Sequence, residues 1–343
     1  MKIMMTTDLH LTNEPRDAYR WDLFPWLKIQ VKKKQVDYLL ILGDITDAKD
    51  CHTSALVNKI VDGLVSIATH VPILILKGNH DYIDAANPFL KFLSHIENIY
   101  FISAIEALDI GGKNMLLLPH TRTPKKDWSD INFKQYDYIF MHETINGSLA
   151  SNGMKMEGFK LSYFKGFEGK IYSGDIHVPQ TMGKGLLEYV GCPYHVRFND
   201  KFTPRVIYLN NNRQKDLFFP CLKKHTLTVR DPSEIIEMYE DGVVSKDDQV
   251  KVRLKLNKSE YAEWNLYRAE IRSICEDLGV DLCGVELKHR RKVIIDDNKS
   301  SRADVRRSAE TDEDALKRYS EVEGLSDVVT EVGIDLLHDQ EDD

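Results

Sequence analysis

The chain has 343 residues, of which 42% are hydrophobic and 29% charged, with a formal net charge of −8. These proportions exclude a wholly disordered chain, a collagen and a coiled-coil rod, and at roughly 100–200 residues per domain they predict about two domains. The longest apolar runs, such as Val71–Leu76, are too short to span a bilayer. The opening MKIMMTTDLH has no apolar signal-peptide core, and the cysteines at 51, 192, 221, 275 and 283 form no CxxC pair. Together these predict reduced thiols, no membrane and a cytoplasmic location, with Cys192 a small buried residue rather than a nucleophile. The acidity is local: residues 296–343 carry 16 acidic and 6 basic side chains, the rest 38 and 40. A nearly neutral body leaves a nucleic-acid substrate open.

In chain order, strands are expected at Ile3–Thr6, Tyr38–Leu42, Ile73–Leu76, Asn114–Leu118, Tyr138–Met141, Lys170–Ser173, Glu188–Val190 and Val206–Leu209. The early ones are continuous apolar runs, as in strands buried on both faces. Helical stripes lie between them, one through Leu56, Ile60 and Leu64, another through Phe89, Phe92, Leu93 and Ile96. This alternation predicts an α/β layered domain over residues 1–211. Asn210–Asn212 and Pro220 mark a boundary, after which residues 221–295 read as a smaller α/β unit. Its expected elements are a strand at His225–Arg230, a helix at Ser233–Tyr239, a strand at Val250–Leu256, a helix at Ser259–Leu278 and a strand at Leu282–Ile295. Residues 296–310 are charged and almost free of apolar side chains, which reads as a linker. Residues 311–343 then carry two short amphipathic helical patterns with no obvious core of their own, which favours an external partner.

The chemistry sits in polar motifs that each follow a buried strand: Asp8-Leu9-His10, Gly43-Asp44-Ile45-Thr46-Asp47, Gly78-Asn79-His80-Asp81, His142-Glu143 and Gly174-Asp175-Ile176-His177. Ligands bind at the carboxyl ends of strands in open α/β sheets, so the motifs converge on one pocket. Asp and His at i and i+2 of an extended segment point to one side, which lets Asp8 and His10 share an ion, and Asp175 and His177 likewise. Asp44 can bridge two ions, Asn79 offers a neutral oxygen and His142 an imidazole nitrogen. Mixed oxygen and imidazole ligation suits manganese, iron or zinc better than calcium. Two ions roughly 3.5–4 Å apart clamp the attacking and leaving oxygens of a phosphoryl displacement. His80 can face the phosphate and protonate the leaving oxygen; Asp81 either holds the His80 ring or caps the following helix.

This ordered series resembles the calcineurin-like metallophosphoesterases, whose pattern is D-x-H, G-D-x-x-D, G-N-H-D/E, H and G-H-x-H. The resemblance covers residues 1–200 and implies a four-layer α/β sandwich with a two-metal site. It places Asp8, His10, Asp44 and His177 on one metal, Asp44, Asn79, His142 and Asp175 on the other, and makes His80 the catalytic histidine. The chain resembles most the SbcD-type DNA nucleases, through Pro119 after Asn114–Leu118, through Tyr189-Val190-Gly191-Cys192-Pro193, and through the small following unit and terminal helices. Its compact length is similar to phage-encoded members, which would place it in a host cytoplasm.

That resemblance implies double-strand exonuclease and single-strand endonuclease action, a small α/β capping domain, and homodimerisation through helices around Cys51–Ile67. It also implies that residues 311–343 bind an SbcC-type ATPase; the chain itself has no P-loop pattern. Asp175 departs from the family's histidine and favours a harder ion, manganese or magnesium. Arg122, Lys125 and Lys126 are candidate DNA contacts, against which a solvated loop is the favoured reading; so are Arg290 and Arg291 within Lys288–Lys292, which equally suits a charged edge strand. Two other readings remain at this point: a phosphoesterase for small nucleotides or proteins, and a DNA-end-binding subunit weakened by Asp175.

Overall fold

The computed structural model describes residues 1–198 and 200–288. In chain order the first strands are β1 (Lys2–Thr6), β2 (Tyr38–Ile41), β3 (Ile73–Leu76), β4 (Ile99–Ile102), β5 (Glu106–Asp109), β6 (Asn114–Leu118), β7 (Tyr138–His142) and β8 (Lys170–Gly174). They are followed by β9 (Gln180–Met182), β10 (Leu187–Tyr189), β11 (Val206–Asn210), β12 (Arg213–Leu217), β13 (Lys224–Val229), β14 (Gln249–Leu254) and β15 (Asp281–Leu287). The α-helices are α1 (Leu23–Lys34), α2 (Ser54–Ala68), α3 (Pro124–Asp127), α4 (Glu234–Glu240) and α5 (Trp264–Leu278).

Two six-stranded sheets, ordered β12-β11-β1-β2-β3-β4 and β5-β6-β7-β8-β10-β9, carry the first part of the chain. Strands β1–β4 run parallel, β11 opposes them and β12, antiparallel to β11, runs with them again; in the other sheet β6–β8 and β10 run parallel while the edges β5 and β9 oppose. Strand alternation divides the apolar residues into layers. Met4, Leu39, Ile41, Ile73 and Ile75 face α1 and α2; Ile3, Met5, Leu40 and Leu74 pack with Met115, Leu117, Phe140 and Tyr172 from the other sheet. The outer face of the second sheet (Leu116, Ile139, Met141, Ile171) is covered by Trp128, Phe133, Phe159 and Phe164. Those aromatics come largely from α3, loops and the 3-10 turns Phe133–Gln135 and Leu161–Phe164, not from long helices. The fold is mixed α/β.

Helix α2 shows the local logic. Thr53 caps it by accepting a hydrogen bond from the Leu56 amide at 3.2 Å, and Leu56, Ile60, Leu64 and Ile67 form its buried stripe. A separate core (Leu227, Val229, Val250, Val252, Leu254, Ile271, Cys275) joins a three-stranded parallel sheet, β13-β14-β15, to α4 and α5.

The structure departs from expectation in places. Strands β4, β5, β9 and β12 were not anticipated; β5 and β12 are edges, and Arg213-Gln214-Lys215 at the start of β12 is exposed. Asn210–Asn212 is the turn of the β11–β12 hairpin, with Asn211 at φ 52°, and not a boundary between units. The stripe from Phe89 forms a 3-10 segment, Phe89–His95. Arg290, Arg291, the rest of the last expected strand, the linker 296–310 and the helices 311–343 lie outside the described residues. Among the described residues no helix is long and apolar enough to cross a membrane.

Phe140 is fully buried between the two sheets. Phe140→Ala is expected to lower unfolding stability by about 3–5 kcal/mol in denaturant titrations of the metal-free protein.

Candidate metal centre

The five motifs end at the carboxyl edges of β1, β2, β3, β7 and β8, and their side chains meet. His10 Nε2 lies 3.0 Å from His177 Nε2, 4.0 Å from Asp8 Oδ1 and 3.9 Å from Asp44 Oδ2. On the other side, His142 Nε2 lies 3.4 Å from Asp44 Oδ1, 3.0 Å from Asn79 Oδ1 and 3.8 Å from Asp175 Oδ1. Asp44 thus stands between two imidazoles, one oxygen towards each. All seven ligand candidates are brought together.

They are not held by extended backbone, as the i, i+2 argument assumed. Asp8, His10, Asp44 and Asp175 have φ of 53°, 43°, 55° and 78°, the left-handed region that non-glycine residues seldom occupy. Neighbouring groups fix these conformations: Asp8 N donates to the Gly43 carbonyl at 3.0 Å and His10 N to the Asp44 carbonyl at 3.1 Å. Strain of this kind persists only where the surroundings over-determine it. Gly78 is needed for close approach, since a Cβ there would sit 2.2 Å from Asp44 Oδ1.

Asp81 does neither of the things expected of it. Its carboxylate turns away from His80 and accepts from the amides of Gly78, Asp44 and Ile45 at 2.7, 2.9 and 3.1 Å, and no helix follows it directly. It is a positioning residue that ties the β2 and β3 loops together. The His80 neighbour is Asp47, whose Oδ1 lies 3.7 Å from His80 Nδ1 and 2.5 Å from His10 Nδ1. His80 is about one-third exposed, at 34% of its side chain.

The second contacts of the imidazoles set their tautomers. A carboxylate and a carbonyl can only accept, so His10 Nδ1 donates to Asp47 and His142 Nδ1 to the Leu42 carbonyl, at 2.5 Å each. In the neutral rings, the form that binds a cation, both Nε2 atoms then turn their lone pairs into the centre. Asn79 meets Asp44 and His142 with either amide atom: its nitrogen would lie 3.1 and 3.0 Å from the two Asp44 oxygens. With the amide oxygen in that place, only acceptors converge, an arrangement a cation makes favourable. Asp8 Oδ2 is buried with no hydrogen-bond partner among the described residues. The donor set therefore fits divalent ions.

Titration shifts record the same crowding. Burial, assisted by Asp44 and Asp175, pushes the Asp8 carboxyl up to about 7 against the pull of His142 and His10. Burial also opposes ionisation of Asp44, but His142, His10 and His80 hold its carboxyl below the usual carboxylate range. Burial acts to lower His142, and the carboxylates of Asp44, Asp8 and Asp175 overcome it and raise that ring well above normal. Burial and then His10 push His177 down to about 3. In the metal-free centre the shifts favour keeping a proton on Asp8 and on His142.

Several partners escaped the sequence reading. Thr144 donates its hydroxyl to Asp175 Oδ2, and the Asp175 amide donates to Asp8 Oδ1 at 3.2 Å. His120 stands edge-on to His142 and 3.4 Å from Glu143, whose carboxyl burial raises to about 7. The signal for Thr144 was its position two residues past His142; His120 follows Pro119 on the same sheet edge. Two openings reach the centre. One, of about 740 Å³, is lined by Asn79, Asp175, His120, Arg122, Lys125 and Lys126. The other, of about 310 Å³, is lined by Asp44, His80, Asp175, His177 and Arg197. Cys192 is fully buried and its thiol is held neutral by burial, as expected of a packing residue.

The chain belongs to the calcineurin-like phosphoesterases, whose family pattern matches residues 1–284. That membership makes it a metal-dependent phosphoester hydrolase. Among solved structures it is similar to an archaeal phosphodiesterase (12% identity, 64% of this chain and 100% of that one, TM-score 0.36). It is also similar to a dimetal phosphatase from Danio rerio (12%, 63% and 98%, TM-score 0.41). A third similarity is to the nuclease MPE of Pseudomonas putida (13%, 63% and 87%, TM-score 0.31).

Metal binding must displace the proton that Asp8 holds up to about 7 and the one raised on His142. Both shifts have the same sign, so Mn²⁺ affinity is expected to climb as pH rises through about 7, and to fall about tenfold per pH unit and proton below it. Calorimetry in buffers of different ionisation heat should show proton release on binding.

Proposed function

We propose that this phosphoesterase is a two-metal DNA nuclease of the SbcD type, and that manganese, with magnesium as substitute, is its ion. The observation that carries the reading is the 740 Å³ opening, in which Arg122, Lys125 and Lys126 stand beside Asn79 and Asp175 at the metal centre. All three basic residues are exposed, with no carboxylate ion pair to any of them among the described residues; Arg122 lies over the Tyr82 ring and donates to the Ile83 carbonyl, and Lys125 and Lys126 stand beside it where backbone phosphates would pass. When bound, the ions polarise the phosphoryl group and lower the pKa of bound water towards about 7.

The protein supplies the remaining steps. Asp8, His10, Asp44 and His177 would hold one ion, and Asp44, Asn79, His142 and Asp175 the other. Asp47 keeps the proton on His10 Nδ1, so that Nε2 remains a ligand. His80 lies edge-on to His10 at 5.2 Å between ring centroids and lines the 310 Å³ opening; from there it donates a proton to the leaving oxygen. Asp81 keeps the loops bearing Asp44 and His80 in register.

In this reading the two six-stranded sheets, through the end of β12, form the nuclease domain, residues 221–295 the capping domain and 296–310 a linker, and residues 311–343 recruit an SbcC-type ATPase. Homodimerisation uses the helices near residues 51–67: α2 buries one stripe on its own sheet and leaves Val65 at the surface.

End-labelled duplex DNA with Mn²⁺ should be shortened from its ends, far faster than a cyclic nucleotide is opened; the reverse preference would overturn the assignment. His80→Ala should lose most cleavage while still binding Mn²⁺. Joint replacement of Arg122, Lys125 and Lys126 by Ala should weaken DNA binding and flatten its salt dependence by about one unit of slope per phosphate contact removed. Its effect on bis(p-nitrophenyl) phosphate should be smaller than on DNA. Deleting residues 311–343 should abolish association with the ATPase and spare hydrolysis of that small diester.

A further inference from the structure

The metal loop at residues 8–10 is held from outside by a buried ionic chain. Arg20 and Asp17 belong to the 3-10 segment Pro15–Asp22, and both are buried, at 3% and 5% exposure. Arg20 Nη1 donates to the carbonyl oxygen of His10, and Nη2 lies 2.9 Å from Asp17 Oδ1. Lys224, the first residue of β13 in the small sheet, is equally buried, and its Nζ donates to the same Asp17 oxygen at 2.9 Å. Two cations share one carboxylate. The surplus charge is surrounded by aromatic faces: the Arg20 guanidinium lies 5.9 and 5.7 Å from the Tyr19 and Tyr194 rings, and the Lys224 ammonium 5.5 and 5.6 Å from Tyr19 and Phe198.

A buried charge is tolerated only while its partners stay in place. Withdrawing Lys224 from Asp17 changes the charge that Arg20 faces, and Arg20 is the donor to the carbonyl of a left-handed residue, His10 at φ 43°. Other restraints on this loop, Tyr194 Oη donating to the Leu9 carbonyl, Asp8 N to the Gly43 carbonyl, His10 N to the Asp44 carbonyl and His10 Nδ1 to Asp47, do not reach the small sheet.

We propose that Lys224, Asp17 and Arg20 form a positioning relay through which the seating of the small sheet sets the geometry of His10. Metal binding at His10 and docking of β13 then stabilise each other, since such coupling is reciprocal. The inference rests on the metal centre and not on the substrate being DNA.

Hydrogen exchange on the full-length protein tests it directly. Mn²⁺ should slow exchange of the β13 amides, residues 224–229, by at least about fivefold, and that protection should vanish in Lys224→Met. Arg20→Met should weaken Mn²⁺ binding in calorimetry about tenfold, and Lys224→Met should weaken it in the same direction, with recovery in Lys224→Arg. Mn²⁺ that binds without protecting β13 in the wild-type protein would overturn the relay and leave the metal centre standing. So would a Lys224→Met protein of lowered Tm but unchanged Mn²⁺ affinity, since a merely structural contact behaves that way. Failure of the wild-type protein to bind Mn²⁺ would overturn both.

Discussion

The constraint on which the rest depends is a set of buried lone pairs that face one another. His10 and His177 bring imidazole nitrogens to 3.0 Å, Asp44 lies between two rings, and Asp8 keeps an oxygen with no hydrogen-bond partner among the described residues. In water such groups would be hydrated or would drift apart. Here they are attached to the ends of β1, β2, β3, β7 and β8, whose own residues are almost wholly buried, so the loops cannot relax without disturbing the space between the sheets. Rigid strands and short loops force the acceptors together, and only protons or cations relieve them. The left-handed backbone at four of these positions has the same origin: it aims short side chains inward directly after a strand ends.

That origin explains what could be read from sequence. Continuous runs such as Leu39–Leu42 and Ile73–Leu76 announce strands buried on both faces, and a polar motif directly after each has no packing reason to be there. Hence the residues that converge were legible even though the backbone geometry assumed for them was wrong. The edges were not legible, because β5 reads Glu-Ala-Leu-Asp and β12 Arg-Gln-Lys-Asp-Leu, where one paired side suffices and apolar alternation is weak. Asp81 was misassigned because a carboxylate beside a histidine looks like its orienting partner, whereas three converging amides are a stronger attraction that only the fold reveals. Contacts of long sequence separation left no pattern at all: Lys224 meets Asp17 across 207 residues.

The Asp175 position gives the centre its balance of charge. An imidazole there would be neutral, whereas the carboxylate adds a negative charge, with one oxygen accepting from Thr144 and the other directed towards His142. Together with Asp44 and Asn79 it makes one side of the centre rich in oxygen, which suits a harder cation than a site dominated by imidazole.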